Sequence, residues 1–177
     1  MSFDPDDLYS VEAGLLQACH AELATTSAGA PARSCIYPGL EVAWDDCDCD
    51  TGLLAVSLRS ITPHFKESPG PLPFVNCSAH VWLVELAITV ARCAPETADD
   101  RPPPCDAVER AARTQIEDLA AVARAVHCTL AGRMFRLATQ VTAGPMGLCV
   151  GAETAVSLGL GNCRVHCPEP GGEVSDG

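Results

Sequence analysis

Between two proline-rich stretches, residues 62–79 and 94–104, the chain alternates. Trp82, Val84, Leu86, Ile88 and Val90 form one apolar set, and Glu85 and Thr89 fall in the set between them. A period of two places the sets on opposite faces of a strand, and the apolar set needs a cover. Similar segments recur. Leu40, Val42 and Trp44 alternate with Glu41, Ala43 and Asp45, and Leu54, Val56 and Leu58 alternate with Ala55, Ser57 and Arg59. The polar run from Asp45 to Gly52 separates these two, which predicts a hairpin. Phe135, Leu137, Thr139 and Val141 predict a fourth strand. Val150, Ala152, Thr154, Val156, Leu158 and Leu160 predict a fifth, after a turn at Gly144-Pro145-Met146-Gly147.

Two segments carry helical spacing instead. Asp4-Pro5-Asp6-Asp7 reads as a helix start: Asp4 caps open N–H groups, Pro5 suits the first position, and the acids complement the dipole. Leu8, Val11, Leu15, Cys19 and Leu23 follow three or four apart, and the pattern fades at Ser27-Ala28-Gly29, which sets the helix at roughly residues 5–27. Pro104 opens a second helix, residues 104–128, with a stripe of Val108, Ala112, Ile116, Leu119, Val122 and Val126. Arg110, Arg113, Glu117 and Asp118 fall mostly off that stripe. On this reading Ile116→Asp buries an unpaired charge and is severely destabilising, whereas Arg113→Ala is mild.

Each helix has one apolar stripe and each strand one better apolar face. The economical solution is an α+β fold: one mostly antiparallel sheet of about five strands packed with both helices. Residues 1–167 form a single domain, and the Gly- and acid-rich residues 168–177 a flexible C-terminal tail. At 177 residues the chain is long enough to bury a core without disulfides or metals, and 47% apolar content excludes a disordered chain. Glu85, Arg59 or glycines cut the longest apolar runs before they reach the ~20 residues of a membrane span. The acidic start Met1-Ser2-Phe3-Asp4 is unlike a basic secretory signal, so synthesis and folding in a cytoplasm are expected.

The formal charge is −12, and Lys66 is the only lysine beside ten arginines. A protein that grips phosphates needs a basic surface, so nucleic-acid binding is disfavoured. The eleven cysteines suit small buried hydrophobes, disulfides formed outside a reducing cytosol, or metal ligands, and their pairing is not readable from sequence.

No motif supplies an active site. A phosphate-binding G-x-x-x-x-G-K loop, G-x-G-x-x-G after a strand, G-x-S-x-G and H-E-x-x-H are all absent from the sequence. Gly159-Leu160-Gly161 is a fragment of the second, with no helix after it. His20, His64, His80, His127 and His166 are scattered. The run Asp46-Cys47-Asp48-Cys49-Asp50-Thr51-Gly52 has the alternate aspartates of a calcium loop, but Thr51 interrupts it and Ser57 stands where the closing glutamate belongs, so it reads as a solvated turn. Cys47 with Cys49, and Cys163, His166 and Cys167, fit zinc spacing only loosely. Catalytic, cofactor and metal residues are therefore expected to be absent. The long loop at residues 62–79 reads as neither helix nor central strand. Its apolar Pro69, Pro71, Leu72, Pro73 and Phe74 are the candidate interface residues.

Several stretches together resemble small neck proteins of actinobacterial long-tailed phages. They are Pro38-Gly39-Leu40-Glu41-Val42-Ala43-Trp44-Asp45-Asp46-Cys47, Val90-Ala91-Arg92-Cys93-Ala94-Pro95 and His127-Cys128-Thr129-Leu130. Gly144-Pro145-Met146-Gly147-Leu148-Cys149-Val150-Gly151 and Leu158-Gly159-Leu160-Gly161-Asn162-Cys163 belong with them. The similarity spans about residues 8–163, and order and spacing carry it. It implies a virion structural protein of the head–tail connector, assembled in the host bacterial cytoplasm. The helix–strands–helix–strands order is most like a tail terminator, a six-membered ring at the top of the tail tube. The implied partners are other copies of the chain, the tail tube protein and a head-to-tail stopper or adaptor. Genomic DNA would pass through the lumen without specific binding. A stopper or adaptor of the same neck is the alternative within that resemblance. A small thiol- or metal-dependent enzyme and a monomeric binding module are alternatives from other classes.

Overall fold

The computed structural model describes residues 4–39, 42, 52–64, 81–95, 102–146 and 148–160. Helix α1 (Pro5–Leu23) leads into strand β1 (Arg33–Tyr37), then β2 (Leu53–His64) and β3 (Val81–Cys93). Helix α2 (Cys105–Thr129) follows, then β4 (Phe135–Met146) and β5 (Cys149–Leu160). The five strands form one mixed sheet in the order β1-β2-β3-β5-β4. β1 runs parallel to β2, and the other three pairings are antiparallel. Two helices with a mostly antiparallel five-stranded sheet are the α+β arrangement that the periodicities predict.

α1 forms where its start signals place it. Asp4 Oδ1 accepts a hydrogen bond from the Asp6 N–H at 2.9 Å, and Pro5 opens the first turn. The helix stops at Leu23, four residues before the expected end. The Thr25 and Thr26 hydroxyls donate to the carbonyls of Glu22 and Leu23, which the helix leaves open. Leu8, Val11, Leu15, Cys19 and Leu23 are all buried, as the stripe predicts.

The same face of the sheet receives both helices. Leu54 and Val56, then Val84, Leu86, Ile88 and Val90, then Val156, Leu158 and Leu160 form one core with the inner faces of α1 and α2. Register explains how this face is built. Leu58, Leu86, Val156 and Leu137 are successive partners across β2, β3, β5 and β4, so one apolar row crosses four strands. α1 lies over β1 and β2, α2 lies over β5 and β4, and the helices touch each other along the middle. There Gly14 lies against the end of α2, where an added Cβ would sit 3.7 Å from the Thr129 methyl, an ordinary contact distance.

Three expectations are corrected. First, the strand beside β2 is β1, and it is parallel, so it is not the antiparallel arm of a hairpin. The expected arm at residues 40–44 lies outside the described residues except Val42, which is buried without regular structure. Residues 38–52 are long enough for the crossover that parallel strands need. Second, β2 extends through Thr62, Pro63 and His64, which the sequence reading assigned to a loop. β1 pairs only as far as Ser57, so among the described residues β2 beyond it has no neighbour on that side, the kind of edge position where proline is tolerated. The rest of that loop, with Pro69, Pro71, Leu72, Pro73 and Phe74, lies outside the described residues, as does the tail.

The third correction concerns α2. Its buried residues are Asp118, Ala121, Val122, Ala125 and Val126. Val108 is 46% exposed and Ile116 65% exposed. The helix carries two apolar bands. The inner one is alanine-rich and allows close packing, and its one charge is neutralised by an ion pair. The outer band, with the bulkier residues, faces solvent. Ile116→Asp is therefore expected to leave stability within about 0.5 kcal/mol, as surface substitutions usually do. A thermal melt within about 2 °C of the parent is the expected result, and a drop of 10 °C would contradict the assigned face.

Candidate assembly surfaces

Ion pairs and hydrogen bonds fix where the helix flanks point. Arg92 leaves the helix-covered face at the end of β3 and donates to both carboxylate oxygens of Asp118, at 3.0 and 3.1 Å. Its guanidinium also donates to the Gly29 carbonyl at 2.7 Å, joining β3, α2 and the turn after α1. Burial pushes the Asp118 carboxyl above the usual range, and the Arg92 bonds oppose that shift. Three further links hold α1 and its following turn to α2 and the turn beyond it: Ser27 to Glu117, Arg124 to Glu22, and Arg133 to Asp7. Glu117, accepting from the Ser27 hydroxyl and N–H, sits below the ordinary glutamate range.

With their inner flanks joined, each helix turns its other flank outward, beside the strand that ends the sheet among the described residues. On the first side, α1 and β1 enclose a groove of about 650 Å³. Tyr9, Leu16 and His20 line it from α1, and Cys35 and Ile36 from β1. Ala13, Gln17 and Ser34 complete the described lining, so no carboxylate, lysine or arginine borders it among the described residues. On the second side, Val108, Ala112, Ile116 and Leu119 face away from Glu117 and Arg124, at 100° per residue, and so toward β4. Gln140 of β4 confirms the placement: it donates to the Leu119 carbonyl at 2.9 Å and to Thr154 Oγ1 at 3.1 Å.

Each edge strand carries one charged residue, Arg33 in β1 and Arg136 in β4. Among the described residues no strand pairs with the outer side of β1 or of β4. Monomeric proteins usually blunt such edges with charge or proline, since open N–H and C=O rows recruit other strands. Among the described residues the devices present are Arg33 on β1 and, on β4, Arg136, the bulge between Leu137 and Thr139, and Pro145 near the end.

The helix-free face of the sheet is not bare. Leu53, Ala55, Ala91 and Cys149 form a second small core with Val42. Ser57 and Thr89 are also buried there, and their hydroxyls have no hydrogen-bond partner among the described residues. Arg59, the extra residue at the β2 bulge, donates to Glu153 at 2.6 Å on this face.

Thiol and carboxylate chemistry is muted where it is described. Burial, and then Glu22, push the Cys19 thiol up to about 12, so it stays protonated and unreactive. Cys35, Cys105 and Cys128 carry free thiols, and Cys149 is disulfide-bonded. Among the described residues no group of three or more His, Cys, Asp or Glu is placed to hold a metal. The calcium-like run from Asp46 to Asp50 and the Cys163, His166 and Cys167 group lie outside them. No described helix is long and apolar enough to cross a membrane.

Glu12 is the exception to good pairing. It is 7% exposed on α1, with no hydrogen bond or ion pair among the described residues, and burial raises its pKa. Between the ordinary value of 4.5 and that raised value the folded chain binds the extra proton, so Glu12 makes stability fall as pH rises through this window. Glu12→Gln is therefore expected to stabilise the protein at pH 7 by on the order of 1 kcal/mol. The gain should vanish below pH 4, where the carboxyl is neutral in both states. Urea unfolding at the two pH values is the check, and a loss of stability at pH 7 would contradict it.

The sequence pointed to the loop at residues 62–79 as the interface and did not find the α1/β1 groove. The exposed hydrophobics of α2 were legible but were assigned to the core. No protein-family model matches the chain, and no curated protein matches it in sequence.

Proposed function

We propose that the chain is a non-enzymatic structural protein of the head–tail neck of a long-tailed phage, most like a tail terminator. Copies close into a ring, six on this reading, at the top of the tail tube. The ring joins the tail tube to a stopper or adaptor and lets DNA through. The observation that carries this reading is the pair of edge strands, β1 and β4, on opposite sides of one sheet, which pair with no further strand among the described residues and carry one arginine each. Head-to-tail contacts between unlike edges generate a ring when the rotation closes. The order of two helices and five strands agrees with the resemblance that the sequence carries. A charge of −12 per copy suits a channel that must not hold DNA, because holding requires phosphate neutralisation. Deleting the gene from the phage genome tests the role. Heads and tails should both form but stay unjoined, or tails should lose length control. Normal particle yield and tail length would overturn it.

One observation favours a different class: His20 and Cys35 line the same groove. A thiol enzyme would have Cys35 alkylated by iodoacetamide at pH 6 ahead of the exposed Cys105 and Cys128. The assembly reading has the two exposed thiols react first.

A further inference from the structure

We propose that the Cys93 thiol exchanges with the disulfide that Cys149 holds, so that the Cys149 sulfur alternates between two bonds. Cys149 is disulfide-bonded, and Cys93 is a thiol. They stand directly opposite each other on the last rung between β3 and β5. Opposed residues of antiparallel strands point to the same face of a sheet. The Ala94 N–H donates to the Leu148 carbonyl at 2.7 Å, a bond that flanks this rung from outside. Cys93 and Cys149 are therefore a non-hydrogen-bonded pair, the kind whose Cα atoms lie closer, about 4.5 Å apart. A disulfide spans Cα separations of roughly 4.4–6.8 Å, so this rung has the dimensions to carry one.

Burial and distance select Cys93 as the attacker. Cys149 is 2% exposed and packs with Leu53, Ala55 and Ala91, so a thiol in solution has little access to its sulfur. Cys93 is half-buried on the adjacent strand and is held alongside, which favours attack from within the chain. Cys19 belongs to the core on the other face of the sheet, and Cys105 and Cys128 lie on α2. Cys35 borders the Cys149 cluster, but β1 is three strands from β5, roughly 14 Å at about 4.8 Å per strand. In the exchange the Cys93 thiolate attacks Cys149 Sγ. The Cys93–Cys149 bond forms as the present S–S bond of Cys149 breaks. The displaced cysteine, which is none of the described ones, leaves as a thiolate and takes up the proton that Cys93 gave up. One disulfide and one thiol exist before and after, so no oxidant or reductant is consumed. The step changes what Cys149 is tied to, and in one state it staples β3 to β5. It does not rest on the neck reading.

The test incubates the full chain, purified without reductant, at pH 8 under argon with a chelator. Samples are blocked with N-ethylmaleimide and digested without reduction, and the disulfide-linked peptides are identified by mass. The expected result is two populations, Cys149 in its present bond and Cys149 joined to Cys93. Their ratio should change with time to a constant value while the number of blocked thiols per chain stays fixed. The change should be faster at pH 8 than at pH 6.5, because the thiolate is the attacking species. Cys93→Ser should abolish the second population and leave Cys149 in its present bond, with circular dichroism unchanged. In a mixture with ¹⁵N-substituted chain, the Cys93–Cys149 product should join residues of one copy only. A single Cys149 pairing throughout, a Cys93–Cys149 bond that appears only with loss of two thiols, a product that joins different copies, or a Cys149 thiol in the purified protein would each overturn the proposal.

Discussion

Asp118→Ala is expected to destabilise the protein by about 3–5 kcal/mol, the usual consequence of removing one partner of a buried ion pair. Asp118 is 1% exposed, and its Arg92 partner has a side chain only 12% exposed. The loss comes less from the missing attraction than from the guanidinium left without its carboxylate in a low-dielectric site. The same reasoning makes the double variant Arg92→Met with Asp118→Leu much milder, because no charge is then stranded. Urea denaturation should show a lower midpoint for the single variant with the slope unchanged. A loss under 1 kcal/mol would mean that water reaches the guanidinium or that its remaining partners, the Gly29 carbonyl among them, suffice to hold its charge.

Gly52→Ala should cost about 3 kcal/mol, from two sources that add at one position. Gly52 has φ of +69°, a conformation that penalises any side chain by about 1–2 kcal/mol. A Cβ there would also lie 2.7 Å from the Ala91 carbonyl oxygen, a backbone atom of β3 that cannot swing aside. Overpacking against such a neighbour adds about 1–3 kcal/mol. Gly29 is the internal control, with φ of +70° and nothing within 4 Å of an added Cβ. Gly29→Ala should therefore lose only the conformational part, about 1 kcal/mol. Equal losses at the two glycines would show that β3 does not approach Gly52 as closely as described.

What the sequence revealed and what it hid follow from size and locality. The α1 stripe, the alternation of β3 and that of β5 were legible because large aliphatics mark the buried face in each. Helix α2 misled because its inner line is built from Ala121, Ala125 and Asp118. A stripe judged by bulk prefers Val108 and Ile116, and only Arg92, 26 residues away in sequence, makes Asp118 an interior residue. β1 was missed because Arg33-Ser34-Cys35-Ile36-Tyr37 is short and does not alternate. The continuation of β2 through Pro63 was missed because proline usually excludes a paired strand. It is admitted here because β1 ends early, a fact of topology that no local pattern contains. For the same reason the groove was invisible: α1 and β1 form it only after the sheet is ordered.

The protein content of purified phage particles separates the assembly reading from every rival. Quantitative mass spectrometry, with isotope-labelled peptides of this chain as standards, counts copies per particle. A neck ring of the proposed kind predicts six copies in every virion. Absence of the chain from purified virions would contradict the neck assignment outright.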